Sequence, residues 1–246
     1  MSTISVPSQG NYPPYEFYAE DNKTLQGIDV DILNAIGEVL NLKFSYVNTA
    51  VSAIVPAVQN GRYVIAISAI FDRPSDQQQV DFVDYFQSGT ILLVQKGNPA
   101  SIREWSDLCG KRAMGTIGQP SLAMLEDENK KCLAARKSAI DVQTGPGTAV
   151  RLQALQSGRT DAIPTDSSVG VYLSSRVGGI YEVATAVKER HLLGIVFRKG
   201  DTGFQAAVLA ALNELKANGK YEQILAKWGV ADGALKEFTI NGAKQH

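Results

Sequence analysis

The side chains that could do chemistry are Asp76 and Asp166, Arg73, the aromatic residues Tyr12, Tyr15 and Phe71, and the cysteines Cys109 and Cys132. Carboxylates accept charge-assisted hydrogen bonds, a planar guanidinium pairs bidentately with a carboxylate, and aromatic faces attract cations. Each residue also has a plainer role. Asp166 precedes a helical run, Ser167–Ser175, and would cap it. Asp76 would be a solvated residue of a short helix in Pro74–Gln79, with Arg73 facing solvent at its start, and Tyr15 would pack in a core. By spacing alone the cysteines are equally two unrelated buried thiols or a bridge, which would stabilise by about 3 kcal/mol in the chain-entropy picture.

Catalysis finds little to work with. A general acid must sit in a cleft, and the histidines are His191, at a chain crossing, and His246, at the terminus. There is no phosphate-cradling glycine loop, and the cysteines lack the nearby histidines of a metal site. The formal net charge of −1, with Lys and Arg dispersed, is not the footprint of a nucleic-acid binder. Apolar stretches such as Ile65–Ile70 and Thr90–Val94 are too short to span a bilayer. A chain of 246 residues, 44% hydrophobic and 20% charged, has room for one large domain or two small ones. These features predict a monomer without metal or cofactor. Met1 leads directly into a strand-like run with no basic and apolar leader. Taken literally that is a cytoplasmic start, but a mature secreted chain without its leader reads the same.

Short β-rich runs alternate with amphipathic helices, which is α/β architecture. Strands are expected at Ile4–Val6, Phe44–Tyr46, Val64–Ile70, Ile91–Val94, Arg112–Met114, Ile140–Val142, Ala162–Pro164, Tyr181–Val183 and Ile195–Phe197. Helices are expected at Ile28–Leu40, Ile54–Gln59, Ser121–Asn129, Ala149–Gln156, Ser167–Ser175, Gly203–Ala217 and Tyr221–Trp228. In the first, Ile28, Ile32, Leu33, Ile36, Val39 and Leu40 form one apolar stripe, and Asp29 and Asp31 suit the positive end of the helix dipole. Gln95-Lys96-Gly97-Asn98 and Arg198-Lys199-Gly200-Asp201 are near-repeats, each following a strand. They suggest a discontinuous first lobe (residues 1–88 and 192–246), an inserted second lobe (89–191), and two hinge strands.

The chain resembles the polar amino-acid family of solute-binding proteins of ABC transporters, over nearly its whole length. The matching pieces are Tyr12–Phe17 (YPPYEF), Gly27–Leu33 (GIDVDIL), Ile54–Gly61 (IVPAVQNG), Val80–Phe86 (VDFVDYF), Leu152–Ala162 (LQALQSGRTDA), Gly194–Asp201 (GIVFRKGD) and Gly219–Gly229 (GKYEQILAKWG). Each is weak alone; their order and spacing together carry the resemblance. It implies a two-lobed, type II periplasmic-binding-protein-like fold that closes on a small molecule, a periplasmic location and an ABC permease as partner. It also implies a disulfide between Cys109 and Cys132.

The resemblance further implies that an arginine of the first lobe holds a ligand carboxylate and an aspartate of the second holds its ammonium. Asp166 matches that aspartate and Tyr12 an aromatic platform, while Ser68, Ala69 and Gly118 fall at ligand positions. Elsewhere this chain departs. Counting back from Val80-Asp81-Phe82, the arginine position holds Asp76 and a hydroxyl position holds Phe71. Gln9 replaces an acid, Val51 an aromatic wall, and Gln119 a threonine. Val64 also stands where an aspartate is usual, at a structural position. Charge reversal at Asp76 costs a ligand carboxylate about 2–5 kcal/mol, unless Arg73 substitutes. The expected ligand is therefore a small cationic amine without a standard α-carboxylate, held by Asp76 and Asp166 with Tyr12 and Phe71 as aromatic faces. Strong divergence and deliberate redesign of the pocket read alike. The competing expectations are an amino acid or opine bound through an altered carboxylate site, a dehydratase-like enzyme on the same scaffold, and a sensory domain of a receptor.

Overall fold

The computed structural model describes residues 2–117, 119–145, 147–176 and 178–244. The chain divides into two compact units, Met1–Ser88 with His191–His246, and Gly89–Arg190.

In the first unit, β1 (Ser2–Ser8) pairs in parallel with β5 (Leu42–Asn48). Parallel neighbours need a crossover, which α1 (Ile28–Leu40) provides. The intervening segment folds as a small antiparallel sheet of β2 (Asn11–Tyr12), β3 (Glu16–Tyr18) and β4 (Leu25–Gln26). Ile28, Ile32, Leu33 and Ile36 of the α1 stripe are fully buried, each contributing about 1.5–3 kcal/mol. Gly27 has φ 139°, and a Cβ there would stand 2.0 Å from the Tyr15 carbonyl oxygen. Only glycine permits this entry into α1.

Helix α2 (Val51–Gln59) starts three residues before the expected Ile54 and buries Ile54 and Val58 against Ala66, Ile70, Phe82 and Val196. Strand β6 is only Ile65–Ala66, a correction to the expected Val64–Ile70. Beyond Ala66 the chain bonds to side chains instead of a ladder. The Ser68 hydroxyl donates to Glu16 at 2.7 Å, and the Ala69 amide donates to Asp29 at 2.7 Å from a left-handed backbone, φ 46°. Val64 is exposed rather than covered. The expected helix in Pro74–Gln79 is a single 3-10 turn, Asp76–Gln78.

Strand β7 (Val80–Gln95) carries the chain into the second unit, and β12 (Lys188–Arg198) carries it back to pair with β6. Helices α6 (Thr202–Ala217) and α7 (Lys220–Trp228) complete the first unit, burying Val208, Leu212, Tyr221 and Leu225.

In the second unit, β8 (Arg112–Thr116) lies parallel to β9 (Asp141–Gly145) and to β10 (Ala162–Asp166). β7 runs antiparallel to β10 and to β11 (Tyr181–Val183). Its apolar run is continuous because both faces are covered. Leu92 and Val94 pack with Trp105, Leu108, Leu125 and Cys132, whereas Ile91 and Leu93 pack with Met114, Leu155, Ile163 and Tyr181. Helices α3 (Pro120–Ala134), α4 (Thr148–Gln156) and α5 (Ser167–Arg176) follow β8, β9 and β10 in turn. A disulfide ties Cys109 to Cys132 of α3, with Cα atoms 5.6 Å apart. Among the described residues no helix is long and apolar enough to cross a membrane.

Candidate functional site

In the first unit the candidate residues fall into connected groups. The Gln9 amide donates to Ser68 Oγ at 3.0 Å, and Ser68 is itself buried. Tyr12 stacks on Tyr15, with ring centroids 5.4 Å apart, and Tyr15 is fully buried against Phe86. Tyr15 is thus core, and Tyr12 is half-buried.

Phe71 bridges to Leu193 of β12 and meets the His191 ring edge-on, with centroids 5.6 Å apart. The Arg73 guanidinium lies over the Phe71 ring at 5.3 Å and 3.8 Å from Asp76 Oδ2. Arg73 is therefore not idle in solvent, although its side chain is 58% exposed against 24% for Asp76. Val51 stands apart from these groups as the exposed first residue of α2.

Two further carboxyls of this unit, Glu16 and Asp29, accept from Ser68 and Ala69. Asp29 is fully buried and accepts from the Tyr85 hydroxyl at 2.6 Å as well as from Ala69. Burial pushes its carboxyl up to about 6, against the opposing Tyr85 and Ala69 bonds. Glu16, also fully buried, is held well above the usual carboxylate range by burial and then by the Asp29 charge. Tyrosine-Glu and Gly-Ile-Asp lie in matching motifs, but nothing local announces that Glu16 and Asp29 meet. The consequence is chemical. The Ser68 hydroxyl and the Ala69 amide, two donors expected to face a ligand, both point at buried acids.

In the second unit, Asp166 ends β10 and its Oδ1 accepts the amides of Ser168 at 2.9 Å and Val169 at 3.1 Å. It caps α5, as its position before Ser167 predicts. Gln119 is the exposed residue before α3, its amide bonded to the Thr116 carbonyl at 3.1 Å. Gly118 lies outside the described residues. Helices α3, α4 and α5 all start directly after the carboxyl ends of their strands, the end where open α/β sheets bind ligands. Among the described residues no group of three or more His, Cys, Asp or Glu side chains could hold a metal ion.

The sequence pattern of the bacterial extracellular solute-binding proteins, family 3, matches residues 4–231. The chain belongs to this family. Similar members include the arginine-binding protein ArgT of Corynebacterium glutamicum, 28% identical over 94% of this chain and 75% of that protein. The L-cystine-binding protein TcyJ of Escherichia coli is 26% identical, over 94% of this chain and 84% of that protein. Among solved structures, an ancestral cationic amino-acid solute-binding protein is similar with a TM-score of 0.77 at 29% identity, covering 92% of this chain and 95% of that one. Another structure of that ancestral protein describes it as a precursor of cyclohexadienyl dehydratase. The solute-binding protein described here therefore has the type II fold expected of the family, and its disulfide joins the cysteines that the resemblance implied.

Proposed function

We propose that this solute-binding protein captures a small, amine-bearing cation that lacks a standard α-carboxylate and delivers it to an ABC permease at the outer face of the cytoplasmic membrane, in the periplasm. The polarity of the candidate residues in the first unit carries the proposal. Its Ser68 and Ala69 donors are committed to Glu16 and Asp29, and the carboxylate of Asp76, seven residues after Ala69, is partly exposed. With those donors committed, Asp76 offers an acceptor that suits an ammonium or guanidinium group, while the exposed Arg73 beside it is the donor that the second reading uses. Asp166 of the second unit would supply the other acceptor, sharing its carboxylate between the α5 cap and the ligand. Tyr12 and Phe71 would supply aromatic faces. The disulfide fits an oxidising compartment. The role is binding rather than catalysis.

A second reading rests on Arg73, whose guanidinium stands over Phe71 and beside Asp76. In it Arg73 meets a ligand carboxylate and Asp76 orients Arg73, so that the ligand is an amino acid or opine. The substitution Asp76→Arg separates the two. The cation reading predicts a gain of about 30-fold or more in affinity for arginine with loss of amine binding. The Arg73 reading predicts weaker arginine binding, because the residue orienting Arg73 is removed.

A further inference from the structure

Residues 239–243, beyond the stretch matched by the family pattern, are strapped onto the first unit where β7 leaves it. Ile240 bridges to Val83, the Asp84 amide donates to the Thr239 carbonyl at 2.8 Å, and the Asn241 amide donates to the Phe82 carbonyl at 3.0 Å. Side chains complete the attachment. Asp84 Oδ2 accepts the Thr239 hydroxyl at 2.6 Å and the Gly242 amide at 3.0 Å. Asp72 Oδ2 accepts the Ala243 amide at 2.9 Å, while Gln77 donates both to Asp72 Oδ1 at 2.8 Å and to the Ala243 carbonyl at 2.9 Å. The strap thus holds the two ends of the segment that carries Arg73 and Asp76.

We propose that this strap is proton-gated: a proton between Asp84 and Asp72 keeps residues 239–243 docked, and its loss releases them from the segment bearing Phe71, Arg73 and Asp76. Asp84 Oδ1 is buried and has no partner among the described residues, although it belongs to a carboxyl facing Asp72. A proton on Oδ1 turns it into a donor toward Asp72 and removes the repulsion between two acids that both accept from the strap. Burial pushes Asp84 up to about 7, with the Asp72 charge adding and the Thr239 and Gly242 bonds opposing. The other charged groups nearby are otherwise engaged. Asp81 is bonded to Asn241 and Lys199, Arg73 lies beside Asp76, and Lys244 is exposed. The remaining titratable neighbour is His191, packed on Phe71.

Docking follows the sign of a raised carboxyl. The docked state holds the proton that the released state gives up, so docking weakens as pH rises from the ordinary carboxylate range near 4 to about 7 and levels off above it. Its consequence for binding rests on the reading of Phe71, Arg73 and Asp76 as ligand-facing, but the docking itself does not, and it is tested without ligand. Hydrogen exchange of the Asp84, Asn241, Gly242 and Ala243 amides, corrected for intrinsic rate, is compared at pH 5, 7 and 8.5. Protection should fall by up to about 10-fold per pH unit between about 4 and 7, the limit for one linked proton, and level off above 7, while amides of β1 and β5 show no such slope. Asp84→Asn, which places a permanent donor toward Asp72, should remove this slope. Asp72→Asn, which removes the opposing charge, should flatten it too and serves if the first variant folds poorly. Wild-type protection that is flat between pH 5 and 7 overturns the proposal, as does a slope that survives both substitutions.

Discussion

Asp81 gathers donors from three places distant in sequence, and replacing it with asparagine should be among the most damaging conservative changes in the chain. Its Oδ1 accepts from Lys199 Nζ at 3.2 Å and Asn241 Nδ2 at 2.9 Å; its Oδ2 accepts from the Gly200 amide at 3.0 Å and Gln205 Nε2 at 3.1 Å. An asparagine keeps one acceptor and turns an NH2 against the other pair. If the oxygen stays toward Gly200 and Gln205, the NH2 faces Lys199 and Asn241. Asn241 cannot flip to help, because its Oδ1 already accepts the Phe82 amide at 2.8 Å. Two bonds to a charged carboxylate are lost, about 3 kcal/mol together, which lowers Tm by roughly 6–12 °C for a chain of this size.

The pH dependence is the sharper test. Burial alone would raise Asp81, but the bonds from Asn241, Gly200, Gln205 and Lys199 outweigh it and hold the carboxyl at about 2. A lowered carboxyl contributes stability above its unfolded value, near 4, and loses it as pH falls toward the folded one. Melting curves of wild type and Asp81→Asn should differ fully at pH 6 and converge as pH falls from about 4 toward 2. A difference below about 1 kcal/mol at pH 6, or one of constant size down to pH 2.5, would refute this account of Asp81.

Three other changes follow from the same geometry. Ala69 sits at φ 46°, so Ala69→Gly should stabilise by about 1 kcal/mol in urea denaturation, provided the Asp29 bond is kept. Replacing Cys109 and Cys132 together with alanine should cost about 3 kcal/mol, seen as earlier unfolding of the second unit by hydrogen exchange; uniform loss over both units would contradict it. Gly27→Ala drives a Cβ into the Tyr15 carbonyl and should cost more than about 3 kcal/mol, with circular dichroism showing lost cooperativity or no folded protein.

What the sequence disclosed followed the range of the interactions concerned. Local patterns were legible. Tyr181–Val183 forms a strand with those bounds, and α6 and α7 each begin one residue from their expected starts. The near-repeats after the two crossing strands close the same turn, the Asn98 amide on the Gln95 carbonyl and the Asp201 amide on that of Arg198. The Asp166 cap was readable because donor and acceptor lie two and three residues apart. Long-range polar bonds were not. Apolar periodicity extended β6 to Ile70, because nothing between Val64 and Ile70 reveals that Glu16 and Asp29 will take Ser68 and Ala69 out of the ladder. Asp72, Asp81 and Asp84 read as ordinary acids around a motif, since their partners stand near the C-terminus. Among the candidate residues, Phe71 and Asp76 were named from the resemblance, but only the folded chain shows Arg73 between them.

The central claim concerns one functional group on the ligand, so it is tested with ligands that differ only there. Calorimetric titration with arginine and with agmatine, its decarboxylated counterpart, at low salt and pH 6.5 isolates the α-carboxylate. The account predicts that agmatine binds at least about 30-fold more tightly, and that Asp76→Ala abolishes the difference. Arginine binding as tightly as agmatine, or more tightly, would contradict it and place the ligand carboxylate on Arg73.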